Sequence, residues 1–196
     1  MVRLKEIANI SSGATFRGRL QSVLNAEWAV IQMKDLSSDN GVVFKEAHKI
    51  DGRYPSSVIL QKGDLIFRSR GQVNTAALVE SECEKVICAA PLIRIRPDQQ
   101  KVIPEYLRWY INQLTAQNYL RSRAKGTTVQ MISKQALDQM EILLPPMEQQ
   151  RLIAEYCKLS AQESRLLNQL SSKCEAYNNS ILMQLASQPQ YTKRSA

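Results

Sequence analysis

Two stretches of the chain gather the side chain types that hold phosphates and base edges. The run Phe67-Arg68-Ser69-Arg70-Gly71-Gln72 ends a strand-like segment in two arginines, a serine, a glycine and a glutamine. An arginine fork fits guanine O6 and N7 and a glutamine amide fits adenine N6 and N7, so Arg68, Ser69, Arg70 and Gln72 are candidates for reading base edges. Farther on, Arg121, Arg123 and Lys125 offer cations for phosphates. Gly126, Thr127, Thr128 and Gln130 add close backbone approach, hydroxyls and an amide. No acid lies between Glu105 and Asp138, whereas Arg108, Arg121, Arg123, Lys125 and Lys134 all fall there. A third acid-free cluster runs from Ser11 to Arg19 and contributes Arg17 and Arg19. A solvated basic turn is the plain alternative for each cluster taken alone. For Trp28, Phe44 and Phe67, core packing is preferred to base stacking.

The overall balance agrees with an anionic partner. The formal net charge is +8 over 196 residues, and a cationic surface gains from the counterions that phosphates release. Up to Pro146 there are 20 Lys and Arg against 14 Asp and Glu, and from Met147 onward 6 against 4, so most of the excess precedes Met147.

Enzyme signatures are missing from the sequence. The single histidine, His48, follows no nucleophile motif and reads as an exposed turn residue. Neither GxxxxGK[ST] nor GxGxxG occurs, so no phosphate-cradling loop of those kinds is encoded. An Asp/Glu-x-Lys tripeptide, which metal-dependent nucleases use, and an Asn-Pro-Pro-aromatic element, found in amino-methylating DNA enzymes, are absent too. Cys83, Cys88, Cys157 and Cys174 lack CxxC spacing and read as buried thiols, so neither a catalytic residue nor a metal site is expected. The first residues lack an apolar signal core and no run approaches bilayer length, which sets a cytoplasmic expectation without membrane contact.

The elements that must position these residues form an α+β arrangement. Strand-like runs cover Trp28 to Met33, Asp64 to Arg68, Ala76 to Val79, Val86 to Ala89 and Leu92 to Arg96, with turns at Asn40-Gly41, Asp51-Gly52 and Lys62-Gly63-Asp64. Pro104-Glu105 opens a helix expected to reach about Leu120. The basic loop Arg121 to Gln130 follows. Ser133 caps a short helix through Leu137, and Met140 to Leu144 reads as a strand stopped by Pro145-Pro146. From Glu148 to about Leu185 there is no Gly or Pro, which predicts one long helix. Leu152, Leu159 and Leu166 lie seven apart, with Tyr156, Leu170 and Tyr177 four residues after positions of that register. Glu163 and Lys173 interrupt this coiled-coil stripe, whose partner helix must come from another chain. The expected domains are 1–146 for a strand-rich recognition domain, 147–187 for the helix and 188–196 for a frayed tail.

The order of motifs resembles a known family. Lys125-Gly126-Thr127-Thr128, then Ile132-Ser133-Lys134, then Ile142-Leu143-Leu144-Pro145-Pro146-Met147-Glu148-Gln149-Gln150 resembles the junction of target-recognition domain and long helix in type I restriction–modification specificity subunits. Leu4-Lys5-Glu6-Ile7 with Ser12-Gly13, and Lys62 to Phe67 through Gly71, fit the same pattern.

The resemblance implies two recognition domains and two antiparallel helices in a full subunit, which docks methyltransferase and restriction subunits on a bipartite DNA site. This chain carries one of each, so homodimerisation is the expected route to completeness. Adenine methylation and cleavage, with S-adenosylmethionine and ATP, then belong to partner subunits, and no cofactor is assigned to this chain. The competing readings are a DNA-binding regulator or antirestriction decoy with the same fold, a coiled-coil scaffold, and an enzyme of unrecognised type.

Overall fold

The computed structural model describes residues 1–18, 20–37, 41–44, 47–126 and 129–187. Arg19, Asn40, Thr127, Thr128 and the tail from 188 lie outside the described residues. Two compact units divide the chain, Met1–Ala154 and Glu155–Ala196.

Continuous apolar runs without an alternating polar face demand a sheet covered on both sides. The first unit supplies one. Among the described residues, strands β1 (Val2–Arg3), β2 (Ala8–Ser12), β3 (Trp28–Ile31), β4 (His48–Ile50), β5 (Leu65–Arg68), β6 (Ala76–Leu78), β7 (Val86–Cys88), β8 (Leu92–Pro97) and β9 (Glu141–Ile142) form three sheets. The largest has the order β2-β8-β5-β6, and its pairs are all antiparallel. The second, β4-β3-β7, joins β3 to β7 in parallel. The third pairs β1 with β9, placing Val2 opposite Ile142.

Alternation along the strands decides which way each side chain turns. Leu65, Phe67, Ile93 and Ile95 pack with Tyr106, Leu107, Ile111 and Leu120 of the helices. Ile66 and Leu92 turn the other way, into a cluster with Ile31, Leu36, Val86 and Cys88. Arg68 pairs with Leu92, and Arg94 with Ile66, so both arginines share that second, buried face.

The helices are α1 (Leu4–Ile7), α2 (Pro104–Ile111), α3 (Leu114–Arg123), α4 (Lys134–Asp138) and α5 (Met147–Ala186). The single helix expected from Pro104 to Leu120 is two. Asn112 ends α2, and its side chain accepts from the Ala76 amide at 2.8 Å and donates to the Ala76 carbonyl at 3.0 Å. The break lets one amide serve the free edge of β6 as a neighbouring strand would. Ser133 caps α4 as expected, its Oγ accepting from the Ala136 amide.

Other expectations need correction. The run from Trp28 leaves the strand after Ile31 and turns through a 3-10 segment at Met33–Asp35, where the Asp35 carboxylate accepts from the Gln32 amide. His48 lies in β4 rather than a turn, 2.9 Å from the Lys34 ammonium. Only Glu141 and Ile142 of the Met140 to Leu144 run are paired. Cys88 is buried, whereas Cys83 and Cys157 are half-buried and Cys174 is exposed.

Helix α5 has 40 residues, about 60 Å at 1.5 Å per residue. Its one buried residue is Gln150. There Oε1 accepts from the Ile103 amide at 2.9 Å while Nε2 donates to the Lys101 and Pro145 carbonyls. These bonds fasten the first turn of α5 within the Met1–Ala154 unit. No helix among the described residues is long and apolar enough to cross a membrane.

Candidate nucleic-acid interface

The two principal basic clusters meet on the same backbone. The Ile132 amide donates to the Ser69 carbonyl at 2.7 Å, and the Gly71 amide donates to the Gln130 carbonyl at 3.0 Å. Lys125 and Met131 exchange both of their backbone bonds, at 3.0 and 2.8 Å. Met131 therefore bridges Arg70 on one side and Lys125 on the other. Segments some sixty residues apart in sequence become adjacent arms of a single surface.

Within the first arm the candidates divide. Arg68 is 9% exposed and donates to the Leu36 and Ser37 carbonyls at 2.6 and 2.7 Å and to Thr75 Oγ1 at 3.1 Å. Burial lowers its pKa from the usual guanidinium value. Ser69 is buried too, and its hydroxyl donates to the Pro91 carbonyl. The expectation that Arg68 and Ser69 meet base edges is corrected here, because β5 is covered on both faces along its whole length and Ser69, just beyond it, is buried too. Arg70 and Gln72, beyond the strand end, are exposed.

The buried residues hold the exposed ones. Asn74 Nδ2 donates to the Arg68 carbonyl at 2.9 Å, and the Arg68 amide donates to the Thr75 carbonyl at 3.0 Å. Gln117 of α3 donates to the Asn74 carbonyl at 2.9 Å. Residues 69–74 thus form a loop closed at its base by Arg68, Asn74, Thr75 and Gln117.

Helix α3 builds the second arm. Ala116 and Leu120 face the core, leaving Arg121 and Arg123 exposed in the last turn, where cations also suit the helix dipole. The Arg123 guanidinium stacks 5.5 Å from the centre of the Tyr119 ring. The chain then turns at Gly126, φ +110°, where a Cβ would lie 2.4 Å from the Val129 carbonyl oxygen. Lys125, Gly126 and Gln130 are exposed.

Electrostatics separate these cations from their neighbours. Arg108 pairs with Glu80 at 3.5 Å and Lys134 with Asp138 at 3.4 Å. Arg70, Arg121, Arg123 and Lys125 have no carboxylate partner among the described residues. Arg3, Arg123, Lys125, Tyr110, Tyr119 and Ser133 line an adjoining cleft of about 640 Å³. Such a surface can bind a polyanion through exposed cations and still present Gln72 and Gln130 for hydrogen bonding.

Arg17 is not joined to this surface by any bridge or hydrogen bond among the described residues. It is exposed beyond Ala14, which bridges Ala89. Gly13 approaches that turn so closely that a Cβ would lie 2.7 Å from the Ala89 carbonyl carbon. Among the described residues no group of three His, Cys, Asp or Glu could hold a metal ion.

Sequence reasoning missed Met131, Asn74 and Gln117. For Met131 a signal existed, since Ile132 reads as a core position and alternation turns its neighbour outward. Asn74 and Gln117 are polar residues whose partners are backbone atoms, and composition does not mark such positions.

The pattern that defines the type I restriction modification DNA specificity domain matches residues 1–176. The chain belongs to that family. Over 120 residues it is 27% identical to the putative type I restriction enzyme MjaX specificity subunit of Methanocaldococcus jannaschii, covering 59% of this chain and 28% of that protein. The fold of this specificity-domain chain is shared with the HsdS subunit from Thermoanaerobacter tengcongensis, with a TM-score of 0.69, 22% identity, and coverage of 98% of this chain and 50% of that one. A chain from a structure of a type I R-M system gives a TM-score of 0.70, 22% identity, and coverage of 92% and 42%. The type I S subunit from M. genitalium gives 0.56, 17%, and coverage of 91% and 42%. The chain spans half or less of the length of each.

The long helix of this family member carries an uncovered stripe. Leu152, Tyr156, Leu159, Leu166, Leu170 and Tyr177 are all exposed. Leu167, Leu182, Met183 and Leu185, outside the stripe read from the sequence, are exposed as well.

Proposed function

We propose that this chain is a non-catalytic DNA-reading component of a type I restriction–modification system, recognising one half-site per copy. The observation that carries the reading is the convergence of Arg70 and Gln72 with Lys125 and Gln130 around Met131, on a surface whose cations have no carboxylate partner among the described residues. Arg121 and Arg123 hold phosphates beside it. Phosphate contacts position the protein, and the exposed amides and Arg70 meet base edges. Arg17, Arg19, Thr127 and Thr128 extend the contact in this reading.

Residues 1–146 act as the recognition domain and 147–187 as the dimerisation and docking helix. Two copies pair through Leu152, Tyr156, Leu159, Leu166, Leu170 and Tyr177, which sets a fixed distance between identical half-sites. A methyltransferase subunit, and in some assemblies a restriction subunit, supply the chemistry in the cytoplasm. Their cofactors bind to them.

The test is co-expression with the methyltransferase encoded nearest to this chain, followed by single-molecule mapping of methylated adenines on a plasmid. Methylation at one interrupted palindrome is expected. A folded dimer that directs no new methylation would overturn the specificity role.

A further inference from the structure

Met131 stands in a row with two cations. Its bridge to Arg70 is flanked by the Gly71 to Gln130 and Ile132 to Ser69 bonds, which makes it a non-hydrogen-bonded antiparallel pair with Cα atoms about 4.5 Å apart. Its bridge to Lys125 exchanges both hydrogen bonds, the wider pair of about 5.5 Å. Directly opposed residues in such ladders project from the same face. Arg70, Met131 and Lys125 therefore project from one face, with the Cα atoms of Arg70 and Lys125 about 10 Å apart and that of Met131 between them. The next residues in register, Ser69 and Ile132, are 4% and 1% exposed and face the interior.

Met131 is 45% exposed, and Val129 and Val73 on the two arms are 43% and 58% exposed. Neither Arg70 nor Lys125 has a carboxylate partner among the described residues. An apolar group held by its backbone between two such cations suits a polyanion that also carries an apolar knob. In the major groove that knob is the 5-methyl of thymine. The unbranched thioether adapts to its shape.

We infer that Met131 contacts the 5-methyl group of a thymine in the recognised half-site, with Arg70 and Lys125 engaging the DNA on either side of it. This rests on the DNA-recognition reading above and assigns one base type to one residue.

In the test, the full chain, alone and with its co-expressed methyltransferase, selects duplexes from a random library at physiological salt. The selected half-site is then remade with uracil replacing each thymine in turn, and Kd is measured by fluorescence anisotropy. One position is expected at which uracil weakens binding about fourfold, the value of one buried methyl-sized group. Met131→Ala binds the thymine and uracil duplexes alike, whereas Arg70→Gln weakens both and retains the difference. Uracil without effect at every position, or discrimination that survives in Met131→Ala, overturns the inference. If no duplex is selected by either form, the DNA-recognition reading falls first.

Discussion

The Ile132 amide and the Ser69 carbonyl, 2.7 Å apart, form the bond by which the loop after α3 is seated on the end of β5. Disturbing the loop after α3 therefore displaces Arg70 as well as Lys125. Gly126→Val puts a β-branched residue at φ +110° and a Cβ within 2.4 Å of the Val129 carbonyl oxygen. The strained backbone alone costs of order 1–3 kcal/mol, and the clash forces the Val129 carbonyl to move as well. DNA affinity, measured by anisotropy at a temperature where the variant is folded, should fall roughly tenfold, and the thermal midpoint should drop by about 2–4 °C for each kcal/mol of strain. Unchanged affinity would mean that the two arms act independently.

Arg68 and Arg70 should behave oppositely. Arg68→Met strips the Leu36 and Ser37 carbonyls of their donor inside the domain, at a cost of roughly 2–4 kcal/mol in urea denaturation. Arg70→Gln should stay within about 0.5 kcal/mol of the parent in stability. It should weaken DNA binding by about 1–3 kcal/mol. A stable Arg68→Met protein with lost binding would return Arg68 to the contact surface.

Salt separates phosphate contacts from base contacts. Removing a single cation among Arg121, Arg123 and Lys125 by substitution with Gln should flatten the plot of log affinity against log salt by about 0.9. A slope that is unchanged in all three variants would remove these residues from the phosphate path.

The packing of α5 makes an assembly prediction. With Leu159 and Leu166 exposed, the double change Leu159→Glu and Leu166→Glu should leave the fold intact and shift sedimentation velocity from dimer to monomer. A parent protein that is already monomeric at every concentration would remove the helix pairing between copies.

Stability should decline at alkaline pH for a stated reason. Burial pushes the Tyr106 hydroxyl up to about 12 from 10.0, with Tyr110 adding to it, and pushes the Cys88 thiol up to about 12 from 9.0. The unfolded chain then releases these protons first, so between about pH 9 and 12 the folded state holds more of them and stability falls as pH rises. In the double variant Cys88→Ala and Tyr106→Phe, the thermal midpoint relative to its own value at pH 8 should fall less steeply. Parallel profiles would place the alkaline sensitivity elsewhere.

Much of this arrangement was legible from local chemistry. The uninterrupted helix formers after Met147 gave α5, and Ser133 gave the cap of α4. Pro104 gave the start of α2. What escaped was set by distant partners. Nothing in the run from Pro104 to Leu120 announces that Asn112 leaves the helix for the edge of β6. The direction of Arg68 follows from alternation with Ile66, yet only a sheet covered on both faces turns that direction inward. The joining of residues 69–71 to residues 130–132 is a long-range pairing, invisible to any window of sequence.

The pairing of Val2 with Ile142 also constrains how the unit is made. Its smallest sheet closes a circuit through about 140 residues, and such non-local pairings form slowly because the chain entropy is lost before the contacts compensate it. At about 5–20 residues per second, the ribosome needs roughly 7–28 s to supply that span. Throughout that interval the edge of β1 that pairs with β9 has no strand beside it. The unit is therefore completed late in its synthesis, and a chaperone that shields the waiting strand should raise the yield more than one that acts on the finished chain.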